Sequence, residues 1–496
     1  MNVLLGIDIG TTTIKAALID AASVREIGRA EREYPIHQPH PGWAEQNPAD
    51  WWAAVVEAVQ RALAAAAVNP GDVQAIGISG QMHGTVLLDR ALQPLRPAII
   101  WADSRSSQQV EALSAAGNYA DHAPGPPAAG FMAATLMWLA RHEPDSLAAA
   151  HVVLLPKDYV RLQLTGEVGT DPGDAAATWL FDVREGQWSA ALLELCGLAG
   201  ISFPPVIPSA AVAGVLCPPA AQALGLPPGI PVVAGSGDLP CQALGCGLID
   251  PGTALLTVGT GGQVFHPARE PRTDPAMRLY VFNHAAAGRW YAQAAILAAG
   301  LSLRWLRDLL GVQSYEALTT LAADISPGAD GLVFLPYLLG ERTPHMDPSA
   351  SGALVGLRLH HGPGHLARAV MEGVAFALAD CLDLIREHSP SAPPRRLLFS
   401  GGAARSPLWG RILASVLDAP LELAERDVPA CIGAALLAGV GAGVYTSLHE
   451  AAALLPRPDR VIEPDRAAAA RYRALLPLYR DLYPRLRSPM HCLTRR

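Results

Sequence analysis

The sequence predicts an α/β protein of two related domains that close on one nucleotide, and three observations carry that expectation. Strand-like apolar runs alternate with Ala-rich helical runs along the whole chain, which implies layered strands and helices. At 496 residues the chain is too long for a single core. A hairpin of strand, glycine, hydroxyl residues and strand occurs twice, at residues 3–19 and 254–265. Gly259 lies 249 residues after Gly10, half the length of the chain.

Residues 3–9 form a buried-type strand that delivers Asp8, then Gly10, Thr11, Thr12 and Thr13, and residues 14–19 return as the second strand. Such a turn offers backbone N–H groups and hydroxyls to a polyphosphate. A carboxylate at its base either holds Mg²⁺ on the same phosphates or caps the turn, and the flanking Gly-Thr-Thr favours the first reading. A P-loop is excluded, because the chain has only two lysines, Lys15 and Lys157, and neither follows a glycine. Lys15 reaches a phosphate or stays solvated on its strand; the residues alone leave both open. Residues 51–67 have helical spacing, with Asn47 or Asp50 as cap. Strands follow at 73–79, 85–88 and 98–101, and a proline-rich loop at 125–130. Gly80-Gln81-Met82-His83-Gly84 sits at a strand end, where α/β proteins build pockets. Gln81 and His83 suit a polyhydroxyl ligand because both bond hydroxyls in either direction, while Met82 is equally suited to filling a core.

A proline-rich run at 204–231 precedes a strand at 232–234 that ends in Gly235-Ser236-Gly237-Asp238, followed by a helix of small residues. The glycines let backbone approach a ligand closely. Asp238 there caps the helix, accepts the proton of an attacking hydroxyl, or does both. The domain junction falls near residue 246, dividing the chain into 1–245 and 246–496. The second half repeats the alternation: the hairpin with Gly259, Thr260 and Gly261, a helix at 292–310, a strand at 331–335, a helix at 365–387 and a strand at 396–399. Ser400-Gly401-Gly402-Ala403-Ala404 then either admits a flat adenine ring or makes a plain turn.

Composition narrows the function classes. Half the residues are hydrophobic and 17% are charged, so the chain is globular rather than disordered. The net charge is −8 with no basic stripe, which argues against nucleic acid and anionic membranes. ATP would therefore be held by local dipoles and Mg²⁺ rather than by the overall field. Residues 428–449 lack formal charge over a membrane-spanning length. Pro429, Gly433, Gly439, Gly441 and Gly443 favour a close-packed buried helix and turn there instead. No basic-then-apolar leader opens the sequence. Seven cysteines without paired spacing point to reduced thiols and a cytoplasmic setting. Cys241 and Cys246, with no His or further Cys nearby, read as core residues rather than metal ligands. Leu- and Ala-rich helical faces are compatible with a homodimer and equally with a core. Residues 488–496 carry no readable signal.

Taken in order, several segments resemble the FGGY carbohydrate kinases of the actin–hexokinase superfamily, and within them those acting on D-xylulose. They are Gly6-Ile7-Asp8-Ile9-Gly10-Thr11-Thr12, His40-Pro41-Gly42-Trp43-Ala44-Glu45-Gln46-Asn47-Pro48, Ser79-Gly80-Gln81-Met82-His83-Gly84, and Leu154-Leu155-Pro156-Lys157-Asp158-Tyr159. The second half adds Leu335-Pro336-Tyr337-Leu338-Leu339-Gly340-Glu341-Arg342-Thr343-Pro344, Gly352-Ala353-Leu354-Val355-Gly356-Leu357, His365-Leu366, Val370-Met371-Glu372, and Gly401-Gly402-Ala403-Ala404-Arg405-Ser406. The resemblance implies two ribonuclease H-like domains with a cleft between them, sugar mainly on the first and ATP mainly on the second. It implies Asp238 as catalytic base and Asp8 as the Mg²⁺ and phosphate aspartate. Met82 and His83 match the family's sugar-binding pair, with Gln81 beside them. Gly10, Thr11, Thr12, Lys15, Gly259, Thr260, Gly261, Gly300, Gly401, Gly402 and Ala403 fall where the family holds nucleotide. Two departures bear on specificity: Leu239 stands where the xylulose enzymes usually carry Asn, and Thr135 precedes Leu136-Met137-Trp138 where Lys is usual. Losing an amide from a sugar pocket removes a bond of roughly 0.5–1.5 kcal/mol. The expectation is therefore ATP-dependent phosphorylation of a ketose, D-xylulose first. Ribulose, glycerol or a deoxy-sugar are alternatives, and a catalytically silent ATP-binding protein is the rival from another class.

Overall fold

A computed structural model describes residues 2–117, 119, 122–424 and 426–494. Two seven-stranded sheets dominate it. In the first, Val3–Ile9, Thr13–Asp20 and Arg25–Glu33 form an antiparallel meander, and Val73–Gly80 joins the other side of Val3–Ile9 in parallel. Pro231–Val233 and then Val212–Val215 complete that edge, with Ser236–Gly237 beside the end of Val73–Gly80. The second sheet repeats the plan. Thr253–Val258, Gly262–Ala268 and Trp290–Ile296 form the meander, extended by Tyr280–Asn283, and Arg396–Ser400 and Leu421–Leu423 run parallel on the other side. The register repeats too. Asp8 pairs with Lys15 and Ser79, as Thr257 pairs with Gln263 and Ser400. The twin hairpins of the sequence are thus equivalent corners of two like sheets.

In each half a long helix leads back to the parallel strand. The first, Pro48–Ala66, is capped by Asn47, whose side chain accepts from Ala49 N, with Pro48 at a position that needs no N–H. Its face of Trp51, Val55, Ala58, Val59 and Ala62 packs into the first core. The second, Pro363–His388, buries most of its length under the second sheet.

The lobes do not divide at one point of the chain. Pro429–Gly441, from the C-terminal half, lies with Asp238–Gly245 against the first sheet, in a cluster with Leu4, Ala75 and Val233. Gly6 and Gly77 are register partners and make a trough for it. A Cβ on Gly77 would lie 1.8 Å from the Ala434 carbonyl oxygen, and one on Gly433 1.9 Å from that of Cys241. This uncharged stretch is a buried helix followed by a turn, and among the described residues no helix is long and apolar enough to cross a membrane.

One expected element is corrected. Residues 292–310 are not one helix: Trp290–Ile296 is a strand and the helix is Gly300–Leu310. Alanine favours helix, but Ala292, Ala294 and Ile296 alternate with Tyr291, Gln293 and Ala295 across the two faces of the sheet, and seven register pairs with Gly262–Ala268 override the propensity. The strand near 331 begins at Val333, after a 3₁₀ turn over Ala329–Gly331. Residues 488–494 continue the C-terminal helix Arg466–Thr494; the remaining two residues of that tail lie outside the described ones.

Candidate active site

The first hairpin is pinned from behind. Gln46 Nε2 donates to the Thr11 carbonyl at 2.6 Å, Trp101 Nε1 to Thr11 Oγ1 at 2.9 Å, and the Tyr34 hydroxyl to the Gly10 carbonyl. Gln46 Oε1 in turn accepts from Trp51 Nε1 at 3.1 Å and from Gln81 Nε2 at 2.8 Å. Gln81 is fully buried, so the structure places it in this support behind the turn and apart from Met82 and His83. Gly10 and Thr11 are half-buried and Thr12 is exposed at the tip.

The second hairpin is braced by a helix start. Gly300 N donates to the Gly259 carbonyl at 2.8 Å, and Ala299 N and Leu301 N donate to that of Thr260 at 3.0 and 3.1 Å. The fit needs glycine, since a Cβ on Gly300 would lie 2.3 Å from the Gly259 oxygen. These contacts use the carbonyls of Gly259 and Thr260; Gly259 N is spent on the Gly261 carbonyl at 2.9 Å, and Thr260 is left exposed at the tip. Beside it lies a cavity of 430 Å³ walled by Thr260, Gly300, Arg304, Tyr315, Gly402 and Ala403 among others. It suits a flat heterocycle, with Gly402 and Ala403 on the turn after Arg396–Ser400.

A larger cleft of 1020 Å³ lies between the lobes, lined by Asp8, Lys15, Asp238, Gly401, Gly402 and Arg405 among others. Gly402 and Arg405 also border the smaller cavity, so the two adjoin. Part of the expected set falls into these neighbouring compartments, while Gly10, Thr11, Thr12, Met82 and His83 line neither of the two. Asp8, Lys15 and Asp238 face the large cleft, and Gly259, Thr260 and Gly300 face the small one. Gly261, half-buried, stays in its turn.

The two carboxylates differ in setting. Asp8 ends a buried strand and accepts from Ser79 Oγ at 2.9 Å; burial raises its pKa, while Ser79 and Lys15 pull it down. Asp238 opens its helix and accepts from Leu239 N at 2.7 Å. Burial, and then the neighbouring charge of Asp8, push its carboxyl up to about 7. That value suits a group that takes a proton near neutrality. Met82 packs on Gly237, just before Asp238; a Cβ on that glycine would meet Met82 Cγ at 2.6 Å. His83 has φ +71°, and its ring stacks on Phe131 at 4.0 Å. Its Nδ1 lies 2.6 Å from the Ala177 carbonyl, which can only accept, so Nδ1 carries the proton and Nε2 is left as an acceptor. Burial lowers its pKa to about 4, so the ring is neutral at pH 7.

Sequence reasoning missed the buried charge cluster below this site. Lys157, fully buried, lies 2.6 Å from Asp158, 2.9 Å from Asp171 and 3.6 Å from Asp174. Burial works against its ammonium, and the three carboxylates overcome it, so its pKa stays above the usual lysine range. Asp171 accepts from Ser209 Oγ at 2.8 Å and from Ser236 Oγ at 2.7 Å, which fixes the strand end two residues before Asp238. The signal was the rarity of lysine in a segment noted only for its resemblance.

Residues 3–245 match the N-terminal domain of the FGGY family of carbohydrate kinases, and residues 254–442 its C-terminal domain. The chain is similar to the xylulose kinase of Escherichia coli (strain K12), 38% identical over 494 residues covering 97% of this chain and 99% of that one. It is 34% identical to the xylulose kinase of Bacillus subtilis (strain 168), with 97% of each chain covered. Among solved structures, the xylulose kinase from Rhodospirillum rubrum superposes with a TM-score of 0.90 at 33% identity, over 99% of this chain and 100% of that one. A gluconate kinase from Lactobacillus acidophilus has a TM-score of 0.91 at 26% identity over 98% of each.

Proposed function

The chain belongs to the FGGY family of carbohydrate kinases and is an ATP-dependent sugar kinase, and from that premise we propose that it transfers the γ-phosphoryl group of ATP to the terminal hydroxyl of D-xylulose. The observation that carries the reading is the pair Asp8 and Asp238 in one cleft, with Asp238 held near 7. In this mechanism Asp238 accepts the proton of the attacking hydroxyl as that oxygen meets the γ-phosphorus and ADP leaves. The N–H groups of Thr11, Thr12 and Thr260, with the Thr260 hydroxyl, stabilise charge on the phosphate oxygens, while those of Gly10 and Gly259 close their own turns. Lys15 adds a positive group across the strand from Asp8. The cavity at Gly300, Gly402 and Ala403 takes the adenosine end, and Gly401 lines the passage to the phosphates. Met82 and His83 form the sugar side, with His83 Nε2 accepting from a hydroxyl. Gln81 acts there only through the hairpin it supports.

Mg²⁺ fits Asp8. One Asp8 oxygen is engaged by Ser79 and the carboxylate lines the cleft. Among the described residues there is no cluster of three or more acidic, His or Cys ligands, so Asp8 is the residue that would hold the ion. Bound there, it would neutralise phosphate charge. Free thiols throughout and ATP as donor support a cytoplasmic setting.

Leu239 favours a second acceptor on the same chemistry, since its apolar side chain, in the buried cluster that also holds Met82 and Tyr291, offers the sugar no hydrogen bond. Purified protein with Mg²⁺ and ATP is therefore incubated with D-xylulose, D-ribulose, glycerol, a deoxy-sugar and D-gluconate, and ADP is measured. D-xylulose is expected to give the highest kcat/KM. Preference for another acceptor would overturn the substrate assignment, and the absence of acceptor-dependent ADP would overturn the enzyme reading in favour of a silent ATP-binding protein.

A further inference from the structure

The second sheet has two chemically distinct faces. Ala254, Leu256, Val264, Ala292 and Ala294 pack under the long helix. Leu255, Phe265, Tyr280, Phe282 and Tyr291 point the other way, into the cluster that holds Met82 and Leu239 of the first lobe. The period-two alternation puts Gln263 and Gln293 on this second face, and they are half-buried where Phe265 and Tyr291 are fully buried. Gln293 Nε2 donates to Gln263 Oε1 at 3.0 Å. One amide nitrogen and one carbonyl of the pair stay unengaged among the described residues.

A third polar group joins them from a loop. Thr343 N donates to the Ala295 carbonyl at 3.0 Å and Ala295 N to Thr343 Oγ1 at 3.2 Å, so residues 341–343 extend the sheet beside Tyr280. Glu341 Oε1 clamps the segment by accepting from Leu297 N at 3.1 Å and Arg342 N at 2.7 Å. The Arg342 guanidinium, half-buried, has no hydrogen-bond or ion-pair partner among the described residues. It lies near enough to His83 to add to the lowering that burial gives that imidazole, and near enough to Tyr280 to offset part of the rise that burial gives that phenol. Aromatic contacts tie the same place to the sugar side: Phe131 stacks on His83 and lies 5.7 Å from Tyr280, and His83 is 6.4 Å from Phe282. A few convergent polar groups in an apolar, aromatic wall are what fixes the orientation of a small ligand.

Resting on the sugar-kinase reading above, we propose that Gln293, its partner Gln263 and Arg342 are the second lobe's half of the acceptor site. They bond sugar hydroxyls opposite Asp238 and His83 Nε2. The acceptor is then gripped by both lobes, and the hydroxyls away from the reacting carbon are read by the ATP-binding half of the chain.

The test compares Gln293→Leu, Arg342→Met and Arg342→Lys with the native protein. KM for the acceptor is expected to rise about fivefold to tenfold for Gln293→Leu and by about tenfold or more for Arg342→Met, following the loss of a neutral and a charged hydrogen bond. KM for ATP should stay within about twofold, and Arg342→Lys should recover part of the loss. Thermal stability should not fall in Arg342→Met, because that guanidinium holds nothing else. Binding is read in parallel as the thermal shift produced by D-xylulose, D-ribulose, glycerol and D-gluconate, so the comparison does not depend on turnover. An unchanged acceptor KM and shift, an equal rise in KM for ATP, or a native protein that no member of the panel shifts would each overturn the proposal. Native protein that binds a polyol without turning it over, or prefers one other than D-xylulose, counts against the preceding reading only.

Discussion

If Asp238 is the base, the acceptor half-reaction must titrate with it. Its carboxyl is pushed up to about 7, by burial first and by Asp8 second. Only the ionised form takes a proton, and that form is about one-tenth of the protein at pH 6, about half at pH 7 and about nine-tenths at pH 8. The kcat/KM for the acceptor should rise by up to about tenfold from pH 6 to pH 8 and level off above, less so where Mg·ATP neutralises the charge of Asp8. A carboxylate at its ordinary value of about 3.9 would give a flat line over that range. Initial rates of ADP formation in quenched samples from pH 5.5 to 9 make the measurement. Asp8→Asn removes the second cause, so the inflection should move to lower pH even as the plateau drops. Stability runs in the opposite direction. The folded pKa lies above the unfolded one, so the contribution is present below about pH 3.9 and lost as pH rises through about 7. At pH 8, Asp238→Asn should therefore be the more stable protein, by roughly 1–4 kcal/mol. The upper figure is about three pKa units, and the lower allows for the carboxylate's opening to the cleft. A flat rate profile, or an Asp238→Asn protein less stable at pH 8, would refute the reasoning.

Three further outcomes follow from the same geometry. Asp238→Ala should lower kcat by about 10²–10⁴ while its circular dichroism stays native; near-normal turnover would remove Asp238 from the role. Lys157→Met should cost about 3–5 kcal/mol in urea unfolding, because Asp158, Asp171 and Asp174 would be left buried without their common cation. Gly77→Ala, far from any ligand, should destabilise by more than about 1 kcal/mol, since its methyl meets the Ala434 carbonyl at 1.8 Å; an unchanged melting temperature would mean that the helix can lift off.

The readable parts of the molecule were those governed by local chemistry. The hairpin at Asp8–Gly10, its copy at Gly259–Gly261 and the strands leading to Gly80 and Gly401 are set by apolar runs ending in glycine, and each lies in the structure as the residues imply. The strand Trp290–Ile296 is not legible from the residues because three alanines match a helix as well as they match a sheet face, and only the neighbouring strand decides. The place of Gln81 at a strand end says nothing of the direction of its side chain, whose Nε2 runs back to Gln46. The Lys157 cluster gathers residues up to seventeen positions apart around one ammonium, and no period or spacing announces such a meeting.

The helix Pro429–Gly441 has a consequence for anyone who would cut this protein in two. A fragment ending at residue 245 would be born with the Gly6–Gly77 trough bare and Leu4, Ala75 and Val233 open to water. Its complement would carry a glycine-rich apolar helix with nothing to lie on. Each piece would expose apolar surface that the other covers, so a mixture that regained kinase activity would report that the two had found each other.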